Sequence, residues 1–224
     1  MNLSQRHWHM GNARGLLVVI SGPAGSGKTS MVEEITRRST GHICRVITAT
    51  TRPPRAGEID GRDYYFLTKE NFEEKLQRGE FVEYNVFNDN YYGTPQDRLQ
   101  AELAQNKVVV LVIDVNGAEK VWRQYPASVR IFVLPPTREI LRARLQGRGT
   151  ESAENVERRL AIAENEIGWL ENYDYLVVND DLQLAVSDTL DIINNSYSHH
   201  IRGGELTAWL NNRYQDWHGQ VKTF

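Results

Sequence analysis

Gly22, Gly25, Gly27, Lys28 and Thr29 lie in the stretch LLVVISGPAGSGKTS, residues 16–30, and meet the spacing G-x-x-x-x-G-K-[ST]. Small residues in such a loop let backbone N–H groups wrap around the terminal phosphates of a nucleotide, a chemistry that larger side chains would block. The lysine meets those phosphates as a point charge and the following hydroxyl ligates Mg²⁺. The phosphate-binding candidates are therefore Gly22, Pro23, Ala24, Gly25, Ser26, Gly27, Lys28, Thr29 and Ser30, with Thr29 as the metal ligand.

A second stretch, TATTRPPRAGEIDGRDYYF at 48–66, sets Arg52 and Arg55 three residues apart on a proline-stiffened segment, with Tyr64 further along. Two guanidinium forks and a phenol hydroxyl suit a phosphomonoester dianion, because arginine binds phosphate oxygens bidentately. Isolated arginines are more often solvated surface groups. A phosphate loop alone also leaves kinase, GTPase, helicase and transporter ATPase open.

These groups need a scaffold, and the apolar pattern describes one. Leu16 to Ile20 are apolar without alternation, as in a strand covered on both faces, and Met31, Val32 and Ile35 follow at helical spacing. The loop therefore opens a helix whose N-terminal partial charge attracts anions. Further apolar runs at 43–47, 108–113, 129–134 and 175–178 are separated by enough chain for helical crossovers, the signature of a parallel sheet. Between the second and third runs, Tyr64 to Leu67, Phe81 to Tyr84 and Tyr91 to Tyr92 are short and aromatic, punctuated by Gly61, Gly79 and Gly93, and predict a small, mostly antiparallel insertion.

Helix boundaries are also legible. Thr94 before Pro95 predicts an N-cap ahead of the Leu99 and Leu103 pair, and Thr137 a cap ahead of Ile140, Leu141 and Leu145. From Ser152 to Leu170, Val156, Leu160, Ala163 and Ile167 form one stripe. GRGTES at 147–152 reads as the tip of a mobile arm between these two helices. After Gly203-Gly204, Leu206, Trp209, Leu210, Tyr214 and Trp217 predict an appended amphipathic helix.

At 224 residues and 40% hydrophobic, the chain suffices for one α/β core with a small insertion. A formal net charge of −3 gives no general pull toward nucleic acid or anionic membrane, so arginine clusters are read as sites. Cys44 has no internal disulfide partner and apolar neighbours, which fits an inert core thiol in a reducing compartment. Residues 1–14 lack an apolar targeting segment and no later run approaches the roughly 18 residues of a membrane span, so a soluble cytoplasmic protein is expected.

From about residue 16 to 195 the chain resembles the guanylate kinases. The resemblance rests on SGPAGSGKTS, ATTRPPRAGEIDGRDYYF, EFVEYN, YYGTP, VIDVNGA, RLQGRGTESAENVERRL and DYLVVND, in that order. It implies an α/β P-loop fold: a five-stranded parallel sheet flanked by helices, a small mostly antiparallel GMP-binding insertion and a helical lid. The implied layout is an N-terminal extension at 1–14, a kinase domain at 15–195 and a C-terminal extension at 196–224. Within the domain the core is 15–52, 94–136 and 171–195, the GMP-binding region 53–93 and the lid 137–170.

The resemblance further implies Mg²⁺-dependent transfer from ATP to GMP, with dGMP as a weaker substrate, within purine metabolism. ATP would occupy the loop at 22–30. GMP phosphate would meet Arg52, Arg55, Tyr64 and Tyr92, beside Gly93 and Thr94, and guanine would meet Thr48, Glu83 and Asp114. Lys28, Arg52, Arg144, Arg148 and Arg159 would be catalytic. Guanine's donors at N1 and N2 and its acceptor at O6 suit a carboxylate and a hydroxyl, whereas adenine reverses that order. ATP and GMP are the expected partners, without nucleic acid or membrane, in a monomer or homodimer.

Three positions depart from the pattern. Val112 stands where many relatives carry an acid, which shifts metal positioning toward Thr29, phosphates and water; Thr48 replaces the common serine, and Asn116 the usual glutamine. Two other readings remain open: a catalytically inactive guanylate-kinase-like binding module, and a P-loop kinase of a phosphorylated sugar.

Overall fold

A computed structural model describes residues 15–87, 89–105, 108–147 and 153–196. The expectations for Arg148, the arm tip and the two terminal extensions fall outside these residues, apart from positions 147 and 196. Strands β1 (Leu16–Ser21), β2 (Ile43–Arg45), β7 (Val108–Val112), β8 (Val129–Leu134) and β9 (Tyr175–Val178) form a five-stranded sheet in the order β2-β7-β1-β8-β9. The pairings of β2 with β7, β1 with β8 and β8 with β9 are parallel. All five lie on the expected apolar runs.

A smaller sheet, β4-β3-β6-β5, consists of β3 (Ala49–Thr50), β4 (Tyr65–Phe66), β5 (Phe81–Phe87) and β6 (Asn90–Pro95). It is antiparallel at β3–β6 and β5–β6 and parallel at β3–β4, so the expected mostly antiparallel insertion is present. By internal contacts the chain forms two compact units. One contains residues 41–111 and 116–128, the other residues 18–40, 112–115 and the described chain from 129 onward.

In the first unit the small sheet is held by α2 (Lys69–Gln77), which the apolar pattern does not announce. Thr68 caps it by accepting from the Asn71 N–H, and its one fully buried side chain, Phe72, stacks between Phe81 and Tyr91 at centroid distances of 4.3 and 5.0 Å. A Cβ on Gly93 would lie 2.9 Å from the Phe72 ring and 3.0 Å from the Phe81 ring, so only glycine lets β6 pass this close. One aromatic stack thus substitutes for a long apolar stripe. Fully burying such a ring is worth about 1.5–3 kcal/mol.

Two local expectations change in this unit. Thr94 belongs to β6 and spends its hydroxyl on Glu83, so Pro95 occupies the cap position of α3 (Gln96–Ala104) with no side-chain cap. Cys44 is half-buried and its thiol donates to a Glu102 carboxylate oxygen at 3.4 Å, rather than sitting in apolar core. Helix α4 (Val115–Gln124) then sends Gln124 to the Val82 carbonyl at 2.7 Å, satisfying an acceptor of β5.

The second unit carries α1 (Lys28–Arg38), α5 (Arg138–Gln146), α6 (Ala153–Ile167) and α7 (Leu182–Asn194). Met31, Val32 and Ile35 are fully buried on α1, and Val156, Leu160, Ala163 and Ile167 are the buried stripe of α6, as their spacing predicts. Thr137 caps α5 by accepting from the Ile140 N–H at 3.2 Å. Among the described residues no helix is long and apolar enough to cross a membrane.

Candidate active site

The phosphate loop of the second unit is fixed by its glycines. At Gly22, φ is 138° and a Cβ would fall 2.1 Å from the Val133 carbonyl oxygen, so any side chain would push the loop off β8. Gly27 has φ 91°, and a Cβ there would fall 2.1 Å from the Asn179 amide nitrogen. The Ser26 N–H donates to the Pro23 carbonyl at 3.0 Å, closing the turn, and α1 begins directly after Gly27. Thr29 and Ser30 are exposed in its first turn, where backbone N–H groups have no intrahelical acceptor.

Lys28 folds back over this loop, its ammonium donating to the carbonyls of Gly22 at 2.5 Å and Pro23 at 2.8 Å. The loop therefore holds its cation near the anion position. Ser26 is fully buried, and its Oγ has no protein partner.

The arginines of α5 and α6 divide into two sets. Arg138 pairs with Glu164 at 2.8 Å and Arg142 pairs with Glu157, as surface ion pairs between the two helices do. Arg144 instead donates through Nη2 to the Asn179 carbonyl at 2.9 Å, while its Nη1 is enclosed without a partner. Arg159 is half-buried and Arg158 exposed. A solvated basic face thus accounts for Arg138, Arg142 and Arg158, but not for Arg144.

Glu166, near the end of α6, is a group that sequence reasoning did not single out. Burial pushes its carboxyl up to about 7, against the opposing pull of Lys28 and with help from Asp114. Its Oε2 is enclosed without a hydrogen-bond partner. Asn179 directly follows β9 within DYLVVND, and a polar residue at the carboxyl end of a parallel strand is the sequence signal that marks it. Asp114, two residues past β7, belongs to this unit.

In the first unit, the small sheet gathers Thr48, Arg52, Tyr64, Glu83, Tyr92, Gly93 and Thr94. Glu83 is only 5% exposed, which excludes an ordinary solvent-facing carboxylate. It lies opposite Thr94 across β5–β6 and accepts from that hydroxyl at 2.5 Å. Thr48 is also buried. Glu83 and Thr48 thus set a buried carboxylate and a buried hydroxyl in one unit, groups whose chemistry suits the N–H donors and carbonyl acceptor of a base.

Arg52 forms a fork with Glu58, Nη1 and Nη2 each donating to a carboxylate oxygen at 2.9 Å. Its guanidinium carbon sits 5.5 Å from the Tyr64 ring centre and 5.8 Å from that of Phe66. Tyr64 and Tyr92 meet edge to face at 6.2 Å. Partial burial works against the Arg52 charge, but Glu58, with Tyr92 adding to it, holds its pKa above the usual arginine value. Arg55 is exposed and gives its backbone N–H to Glu58 at 2.7 Å. Glu58 went unnoticed as a site residue in the sequence, although an acid three positions after Arg55 was available to be read.

One unit therefore offers a loop for terminal phosphates, and the other an arginine-tyrosine cluster and a buried carboxylate suited to a phosphorylated base. The guanylate kinase family model matches residues 14–196. A guanylate kinase of Synechocystis sp. is 42% identical over 182 residues, covering 81% of this chain and 95% of that protein. A guanylate kinase of Thiobacillus denitrificans is 45% identical over 178 residues, covering 80% and 85%. The crystal structure of guanylate kinase from Anaplasma phagocytophilum superposes with a TM-score of 0.67 at 29% identity, covering 89% of this chain and 95% of that one. Matched along nearly the whole of its described length in sequence and fold, the chain belongs to the guanylate kinase family.

Proposed function

We propose that the chain catalyses transfer of the γ-phosphoryl group of ATP to the 5′-phosphate of GMP, giving ADP and GDP, with dGMP as a weaker acceptor. The observation that carries this reading is the buried Glu83–Thr94 pair in a chain that also keeps the Gly27-Lys28-Thr29 grip. A sugar-phosphate kinase has no use for a buried base-reading carboxylate, and a binding module has no use for the lysine.

The acceptor oxygen is already anionic, so no covalent enzyme intermediate and no dedicated general base is required. Glu83 accepts from guanine N1 and N2, Thr48 donates to O6, and Asp114 supplies a further acceptor. Arg52, Arg55, Tyr64 and Tyr92 neutralise and orient the acceptor phosphate, with Gly93 and Thr94 shaping the floor beneath it. Lys28 and the loop at 22–30 hold the β- and γ-phosphates of ATP. Arg144 and Arg159, together with Arg148, neutralise charge spreading over the equatorial oxygens.

The donor set fits Mg²⁺ bound through a single hydroxyl. Among the described residues no cluster of His, Cys, Asp and Glu could cage a metal, whereas Thr29 is an exposed hard oxygen beside the phosphate loop. When bound, Mg²⁺ supplies charge neutralisation on the β- and γ-phosphate oxygens. We assign residues 53–93 to GMP binding, 137–170 to a lid, and 15–52, 94–136 and 171–195 to the core, with 1–14 and 196–224 as extensions. A cytoplasmic location and a monomer or homodimer complete the reading.

A coupled ADP-release assay over GMP, dGMP, AMP, UMP and ribose phosphates, with and without Mg²⁺, tests it. Rapid turnover with GMP and none with sugar phosphates is the expected result. Saturable ATP binding with no GMP consumption would sink it.

A further inference from the structure

Three parts of the second unit meet at Asn179, a residue only 4% exposed at the end of β9. Its N–H donates to the Leu134 carbonyl at 2.7 Å, anchoring it to the end of β8. Its side-chain Nδ2 donates to the Ser26 carbonyl at 2.8 Å, and its own carbonyl accepts from Arg144 Nη2 at 2.9 Å. On the far side, Asp181 caps α7 by accepting from the N–H groups of Gln183 at 2.7 Å and Leu184 at 3.0 Å, which fixes the chain as it leaves.

We propose that Asn179 is a positioning residue that holds the phosphate loop and Arg144 in a single register, setting where both meet the phosphates of the nucleotide. This rests on the phosphoryl-transfer reading above. The site is specific for an amide. An aspartate would face the Ser26 carbonyl acceptor to acceptor, and a leucine would leave that buried carbonyl unpaired. A glutamine would drive one more methylene toward Gly27, whose missing Cβ already leaves no spare room. Among the described residues the enclosed Nη1 of Arg144 has no hydrogen-bond partner, so the Asn179 carbonyl is the contact that aims this guanidinium.

The test is steady-state kinetics with ATP and GMP on the full chain and on Asn179→Asp, Asn179→Ser, Arg144→Lys and the Asn179→Asp/Arg144→Lys double variant, with Tm measured for each. In the nearly isosteric Asn179→Asp, kcat should fall about 10- to 100-fold and the KM for ATP should rise, while the KM for GMP stays within about twofold. Arg144→Lys should cost less in that background than in the parent, because the two residues act as a unit. Losses that multiply independently, or a kcat within about twofold of the parent, overturn the inference. If Asn179→Asp does not fold, Asn179→Ser supplies the same kinetic readings. Lowered Tm in both variants with unchanged turnover per folded molecule assigns Asn179 to the fold alone and also overturns it. A parent chain that fails to phosphorylate GMP refutes the underlying reading, whereas an active parent with an unimpaired Asn179→Asp refutes only this inference.

Discussion

Glu58 holds Arg52 by both carboxylate oxygens at 2.9 Å, and the same carboxylate takes the Arg55 N–H. One acid therefore sets the aim of a guanidinium and shapes the turn that carries a second. Arg52, followed by Arg55, keeps the Glu58 carboxyl below the ordinary carboxylate range, even though burial opposes this. A depressed folded pKa means the pairing is present above the unfolded pKa and is lost only as pH falls through the folded one. Glu58→Gln should raise the KM for GMP about tenfold, the loss of one charge-assisted contact, with the KM for ATP little changed. The ratio of variant to parent should stay flat from pH 6 to 8. An unchanged KM would show that Arg52 needs no such support.

The parallel sheet and its loop were readable because each rests on local signals: unbroken apolar runs, the glycine spacing, and the stripe from Val156 to Ile167. Helix α2 was not, since a single side chain, Phe72, does its packing against rings at 81 and 91 that only the tertiary fold brings near. The Thr94 cap failed for a related reason: a hydroxyl beside a proline matches a helix start, but a buried carboxylate across the strand pair took it first. In the site, residues named for their own chemistry, such as Lys28, Arg52 and Glu83, could be picked out. Glu58, within six residues of both arginines it holds, was open to the same reading, whereas the strand-end signal of Asn179 does not reveal its partners, Ser26 and Arg144, which lie far along the chain.

The Glu83–Thr94 contact yields a selectivity prediction. If Glu83 reads guanine N1 and N2, Glu83→Gln sets a donor against their donors, so kcat/KM for GMP should fall roughly 10- to 100-fold, while any activity with AMP falls less or rises. Thr94→Val removes the donor to a buried oxygen and should lower stability by about 1–3 kcal/mol. An acceptor panel and thermal melts read these separately. Unaltered preference for GMP over AMP in Glu83→Gln would refute base recognition by this residue.

Lys28 donates to the carbonyls of Gly22 and Pro23, both within its own loop. Lys28→Met should therefore leave a folded protein with kcat reduced about 10²- to 10³-fold, the usual cost of removing one preorganised charge from a developing anion. The KM for GMP should hardly move. Circular dichroism together with single-turnover kinetics separates lost chemistry from lost fold, and near-normal kcat would remove Lys28 from the catalytic set.

Glu166 offers a test in stability rather than turnover. Burial raises its carboxyl from 4.5 to about 7, with Lys28 lowering it and Asp114 raising it. Between those two values the folded chain keeps a proton that the unfolded chain has released, so folding carries a growing penalty as pH rises. The slope is at most about 1.4 kcal/mol per pH unit and levels off above the folded pKa. Glu166→Gln, which mimics the protonated form, should match the parent near pH 4, exceed its Tm increasingly from pH 5 to about 7, and keep that margin at pH 8. Because Lys28 stabilises the ionised form, Lys28→Met should deepen the parent's loss of stability over the same range. Parallel melting curves for parent and Glu166→Gln across that range would show that the carboxyl titrates as an exposed one does.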